Sequence, residues 1–182
     1  MNTLNDILSK EIEEFREKGH KFLNKEMTVG EFKKASGGMG VYAHRGGKEF
    51  MVRLRVPSGV AGLSLLEEAY NWAKKYNLEK IHLTTREAIQ LHGISIDAVC
   101  DIMQEGLTKG IYTRGGGGNF PRNVALNPLS GVQIGETFDV TPYALASNAH
   151  YMSKIYTYNL PRKIKTAFSN TEEDSAHCTV TD

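Results

Sequence analysis

The chain has 182 residues, 40% of them apolar, and its 22 Lys and Arg against 21 Asp and Glu give a formal net charge of +1. That length supports one good core, or one core and a smaller lobe, and the near-neutral balance argues against a nucleic-acid surface, which pushes a whole domain basic. No apolar run approaches the ~20 residues of a membrane span, the amino terminus has no signal-peptide core, and Cys100 and Cys178 form no CxxC or Cys/His pattern, so a reducing cytoplasm is the expected compartment.

In residues 5–23, Ile7, Leu8, Ile12, Phe15 and Phe22 recur at helical spacing between charges, which predicts an amino-terminal helical arm. Thr28 and Glu31 fit a capping box over a short second helix through Phe32, which Ser36-Gly37-Gly38-Met39-Gly40 breaks. Residues 48–56 read as a strand stopped by Pro57-Ser58-Gly59. Ser64 and Glu67 fit a capping box for a helix with Leu65, Leu66, Ala69, Trp72 and Ala73 on one face. Strands follow at 80–85 and 88–92, and Ser95 then caps a helix carrying Ile96, Val99, Met103 and Leu107 that ends near Gly110. Strand, helix, strand, strand, helix is the order of a split βαβ, a ferredoxin-like α+β unit.

Beyond Gly110, Arg114-Gly115-Gly116-Gly117-Gly118-Asn119 cannot sit in a regular element without a large entropic cost. It reads as a mobile loop, or as a backbone cradle whose N–H groups face an anion. Thr141 as cap and Pro142 at the first helical position predict a helix to about Tyr156, and a last strand is expected over 163–168. The sequence reveals no partner within the chain for the polar residues 169–182, so truncation is expected.

Three stretches carry the chemistry. Val52-Arg53-Leu54-Arg55-Val56, Ile89-Gln90-Leu91-His92 and Arg162-Lys163-Ile164-Lys165 alternate aliphatic residues with donors, so a strand would bury one set and turn the other outward. Residues 50–59 hold two arginines and no acid, and residues 160–170 hold three cations and no acid. Such segregation points to a concave site for an anionic ligand. The plain reading of each pair alone is an edge strand guarded by its cations, and that of His92 is a histidine satisfied before the turn at Gly93.

Four pieces of the chain resemble the siroheme-dependent sulfite and nitrite reductases, in the order found in that family. They are Met51 through Gly59, Leu83-Thr84-Thr85-Arg86-Glu87-Ala88-Ile89-Gln90-Leu91-His92-Gly93, Pro121-Arg122-Asn123-Val124, and Leu160-Pro161-Arg162-Lys163-Ile164-Lys165. The resemblance implies three parts: an amino-terminal helical arm over 1–39, a ferredoxin-like half-domain over 40–110, and the start of a siroheme and 4Fe-4S domain, itself α+β, over 111–182. It implies that Arg53, Arg122, Lys163 and Lys165 surround sulfite or nitrite, while Thr85, Arg86, Gln90 and His92 hold the macrocycle and its carboxylates. The implied cofactors of the parent protein are siroheme and a 4Fe-4S cluster. The implied partners are the oxyanion, an electron donor such as ferredoxin or a flavoprotein, and the remaining carboxyl-terminal half of the reductase. In the family the cluster cysteines lie downstream of the lysine motif, so this chain is expected to lack them and to be inactive alone. Two other classes keep the same residues without catalysis: a tetrapyrrole- or anion-binding module, and a ferredoxin-like regulatory module.

Overall fold

A computed structural model describes residues 3–181. Thr3 and Asp6 exchange hydrogen bonds in a capping box that opens α1 (Leu4–Leu23), and Leu8, Ile12 and Phe15 form its buried stripe. Thr28 and Glu31 do the same for α2 (Val29–Gly37). This helix runs past its expected end at Phe32 because Ser36 and Gly37 are buried, against a segment too distant in sequence to show in a local pattern.

The next elements are β1 (Val41–Ala43), β2 (Phe50–Arg55), α3 (Leu63–Lys75), β3 (Ile81–Leu83), β4 (Ala88–Ile94) and α4 (Ile96–Thr108). The sheet runs β1-β2-β4-β3 with every neighbouring pair antiparallel. Since β4 lies between β2 and β3, the β2–α3–β3 unit is a split βαβ, as the element order predicts. The three residues of β1 are too few to announce themselves by alternation. The expected Ser64 cap does not form, because α3 already starts at Leu63 behind Gly62, which offers no side-chain acceptor. Ser95 does cap α4, accepting from the Ala98 N–H.

Val52, Leu54, Ile89 and Leu91 lie on the sheet face covered by helices, packed with Trp72, Val99 and Ile102 into the main core. Burying each such side chain stabilises the fold by about 1.5–3 kcal/mol. The opposite face carries Arg53, Arg55, Gln90 and His92, and it is this face that the second part of the chain covers.

That part holds β5 (Ala125–Leu126), α5 (Thr141–Ser153) and β6 (Ala167–Phe168), with a small core of Val124, Leu126, Val140 and Ala144. The expected strand over 163–168 is regular only in β6, which pairs in parallel with β5, while Ile164 makes a single bridge to Pro121. Thr141 is the first helical residue of α5 and not its cap; Asp139 Oδ1 accepts the Thr141 N–H at 2.9 Å instead. The glycine run is a packed seam and neither a mobile loop nor a cradle of N–H groups. Gly115, Gly116 and Gly117 are buried, and a Cβ on Gly117 would collide with the Gly37 carbonyl and the Tyr42 hydroxyl. Among the described residues no helix is long and apolar enough to cross a membrane.

Candidate functional site

Register assembles the site. Arg53 lies opposite Gln90 on β4, and Gln90 lies opposite His82 on β3, so the three share one face of the sheet. The second part of the chain supplies the other wall. Residues 121–127 and 164–168 run side by side through three backbone bonds, Arg122 N to Ile164 O at 2.9 Å, Ala125 N to Thr166 O at 2.9 Å and Asn127 N to Phe168 O at 3.0 Å. This pairing sets Lys163 and Lys165 beside Arg122.

The result is a cavity of about 440 Å³ whose walls include Arg53, Arg55, Arg86, Arg122, Lys163 and Lys165, and no aspartate or glutamate among the described residues. Thr85 and Gln90 also face it. Like charges gathered this closely, Arg53, Arg55, Arg122 and Lys163 among them, repel one another, and an anion between them would offset that cost.

Backbone carbonyls hold several of these cations in place. Gly116 O accepts from Arg53 Nη1 at 2.8 Å and from Arg122 Nη1 at 3.0 Å, so the glycine seam contributes a carbonyl to the wall. Arg86 Nη2 donates to Asn123 O at 2.9 Å and to Thr166 O at 3.3 Å, tying the β3–β4 turn to both paired segments. Asn123 Nδ2 returns to the turn through Glu87 O at 2.9 Å and to Val56 O at 2.7 Å. The Glu87 carboxylate accepts the Leu126 N–H at 3.0 Å, and burial pushes it above the ordinary carboxylate range.

Arg55 is the most enclosed of the six, only 3% exposed. Its Nη1 donates to Pro121 O at 3.0 Å, and its Nη2 donates to Arg122 O at 3.2 Å and Asn148 Oδ1 at 3.3 Å. Burial, with the nearby Arg122 charge, brings its pKa down to about 10, so it remains cationic at neutral pH. Burial also lowers the Arg53 value. The Nε atoms of Arg55 and Arg122 and the Asn123 Oδ1 are buried without a hydrogen-bond partner. Such atoms cost free energy until something pairs with them.

Gln90 links the cavity to the rim of the sheet. Its oxygen accepts from Arg53 Nε at 3.1 Å and Nη2 at 2.7 Å, and its nitrogen donates to His92 Nε2 at 3.0 Å, the one amide orientation that satisfies all three. His92 does not line the cavity and meets its wall through Gln90 and through the stacked ring of His82.

Of the residues singled out in the sequence, Arg53, Thr85, Arg86, Gln90, Arg122, Lys163 and Lys165 come together, and His92 stands one step behind. Sequence reasoning paired Arg55 with Arg53 on one face but gave it no role at the site, although the two-residue spacing was visible. Asn123 lies in the Pro121–Val124 motif, where the sequence gives it no role. Asn148 and the Gly116 carbonyl left no sequence signal, since their parts depend on long-range packing.

Comparison with known proteins gives the family. Residues 42–107 match the nitrite/sulfite reductase ferredoxin-like half domain, and residues 117–182 match the nitrite and sulphite reductase 4Fe-4S domain. The chain belongs to the nitrite and sulfite reductases. It is 28% identical over 139 residues to a ferredoxin–nitrite reductase of Synechococcus elongatus, covering 73% of this chain and 27% of that protein. Against a sulfite reductase (ferredoxin) of Mycobacterium tuberculosis it is 29% identical over 130 residues, 71% of this chain and 23% of the relative. The chain thus spans about a quarter of the length of these relatives. The solved structure of the Mycobacterium tuberculosis NirA protein superposes with a TM-score of 0.71 at 22% identity, over 93% of this chain and 35% of that one, which shows a shared fold.

Proposed function

We propose that the cavity binds a small oxyanion, sulfite or nitrite, together with one carboxylated edge of siroheme, and that the chain serves a ferredoxin-dependent reductase of the kind its relatives are named for. The observation that carries this reading is a cavity with no aspartate or glutamate among its described lining residues, into whose wall Arg53, Arg55, Arg122 and Lys163 come together, Arg55 and Arg122 each with a buried, unpaired Nε. Carboxylates and oxyanions suit that set, because guanidinium groups bind them through two parallel bonds and ammonium groups meet them as point charges.

The roles divide by position. Arg53, Arg122, Lys163 and Lys165 would surround the oxyanion and offset the charge that builds on it. The ammonium groups of Lys163 and Lys165 would also offer protons by way of water to oxygen atoms as they leave, while the guanidinium groups keep theirs and stabilise charge. Thr85, Arg86 and Gln90 would hold the carboxylates of the macrocycle, with His92 acting behind Gln90. Siroheme, when bound, supplies the redox-active iron. The same division gives the residue ranges a purpose: 1–39 as a supporting arm, 40–110 as the half-domain that brings Arg53 and Gln90, and 111–182 as the segment that brings Arg122 and the two lysines.

The residues present do not suit a 4Fe-4S cluster. A cluster of this type takes four thiolates, whereas the chain has two cysteines. Cys100 is buried in α4, where burial pushes its thiol up to about 12, and Cys178 lies in the carboxyl-terminal segment. The chain alone is expected to bind but not to reduce.

Calorimetric titration of the 182-residue chain with nitrite and with sulfite tests the reading. Saturable binding that weakens as salt rises is expected. Absence of binding by both anions at low salt would remove the proposal. Titration with siroheme should shift the absorbance of the pigment, and an unchanged spectrum would sink the macrocycle part of the assignment.

A further inference from the structure

Behind the cavity wall, four side chains form one hydrogen-bonded chain that reaches the loop after β1. His44 Nε2 lies 3.2 Å from His92 Nδ1. His92 Nε2 lies 3.0 Å from the Gln90 nitrogen, and the Gln90 oxygen takes both Arg53 contacts, at 3.1 and 2.7 Å. Chemistry fixes the polarity of this chain. A guanidinium can only donate, so Gln90 must turn its oxygen toward Arg53 and its nitrogen toward His92. His92 Nε2 must therefore accept, which leaves the single proton of the neutral ring on Nδ1, facing His44 Nε2.

We propose that His44 is a positioning residue for Arg53, holding the His92 tautomer that holds the Gln90 amide that fixes the guanidinium in the cavity. The chain has one alternative state. A second proton on His92 makes Nε2 a donor, and the Gln90 amide must then rotate to present its oxygen there. Its NH2 group would face Arg53 Nε and Nη2, donor against donor, and Arg53 would keep its Nη1 bond to Gly116 O while losing the Gln90 pair. The state of the histidines is thus coupled to the geometry of a wall cation through a single amide.

The surroundings favour the neutral form. His92 is faced by His44 from the loop after β1, by Lys80 and His82 from β3 and the residue before it, and by Arg53 from β2. Glu49 faces the far side of the chain, its Oε2 at 3.7 Å from His44 Nδ1. Burial and the neighbouring positive charges hold His92 below the ordinary imidazole value. Tyr42 lies under the Arg53 guanidinium at 5.7 Å and limits where it can go once released.

The importance of Arg53 rests on the anion reading, so the test reads the positioning chain without ligand. Side-chain 1H–15N spectra of the 182-residue chain should show His92 protonated on Nδ1 at the alkaline end of a titration between about pH 5 and 8. The Arg53 Nε–H and Gln90 NH2 signals should then move along the His92 curve. In His44→Phe, His92 should become a mixture of tautomers, with about fivefold faster hydrogen exchange at Arg53 Nε for the lost acceptor. In Gln90→Leu, Arg53 should cease to follow His92. An Arg53 signal that stays fixed while His92 titrates in the unaltered chain would overturn the proposal, as would a His92 proton on Nε2, and neither result depends on a variant folding. A nitrite titration of the same sample separates the two ideas: coupling without nitrite binding removes the anion reading alone, and nitrite binding without coupling removes the positioning role alone.

Discussion

The Arg55 guanidinium donates to the backbone carbonyl of Arg122 across 3.2 Å, so one wall cation is placed by another that is almost wholly enclosed. Like charges are thereby held in contact through a peptide oxygen rather than an acid. Three carbonyls and the Asn148 amide surround the Arg55 head. Lysine cannot reproduce this fork, having a point charge where arginine has a plane of donors. Arg55→Lys should lower the urea-unfolding free energy by about 1.5–3 kcal/mol, the worth of one charge-assisted bond. It should also weaken nitrite binding, because the 121–122 backbone loses its anchor. A variant as stable as the parent would show that the enclosed guanidinium does not staple the two parts together.

Lys163 and Lys165 enter the cavity from the paired segment, facing cations on the sheet. Lys163→Ala and Lys165→Ala should each reduce nitrite affinity about tenfold, equivalent to ~1.4 kcal/mol. Each should also flatten the dependence of binding on salt, since fewer charges are screened. Calorimetry over a range of chloride concentrations measures both effects. Unchanged affinity in the double variant would mean that the lysines are solvated bystanders.

Two glycines give opposite expectations. Gly117→Ala places a methyl group against the Gly37 carbonyl and the Tyr42 hydroxyl, and should destabilise the chain by about 1–3 kcal/mol through overpacking. Gly30 is exposed in α2 with open space around it, so Gly30→Ala should raise stability by about 0.5–1 kcal/mol. Thermal melts of the two proteins decide the matter. A harmless Gly117→Ala would show that the seam is looser than its packing implies.

Stability should also fall in mild acid through His92. Its folded pKa lies below the ordinary 6.5, with burial the largest cause. In the unfolded chain the ring takes up its proton first, so stability is fully present above about pH 6.5 and declines as the pH drops toward the folded value, in proportion to the excess protons bound by the unfolded state. Replacing His92 by Asn should reduce that decline. Denaturant midpoints that depend on pH equally in both proteins would show that another group is responsible.

Much of this was legible in the sequence, for reasons that particular residues make plain. Alternation at Val52–Arg53–Leu54 and Ile89–Gln90–Leu91 gave both the strands and their polar face, because one face of a sheet over a core must be apolar. The Thr28–Glu31 box and the Ser95 cap were readable because capping is local. What escaped was non-local. The last strand shrank to β6 because its partner, residues 121–127, offers only a short parallel ladder. The packing of the glycine run is invisible locally because its partner is Ser36–Gly40, far away in sequence. His44 showed no sign of its part, which depends on a tautomer set three side chains away.

The parallel ladder between 121–127 and 164–168 also governs when the cavity comes into being. β2 and β4 close a loop of similar length but are rewarded by six paired residues against two in this ladder, so the ladder forms late. The four-stranded sheet can therefore be finished while the lysines are still adrift, and only the last docking step brings six like charges face to face. Refolding should consequently end in a slow phase that added salt or nitrite quickens, while the phase that builds the sheet is indifferent to both. Stopped-flow traces with one unresponsive phase would mean that the two parts fold as one.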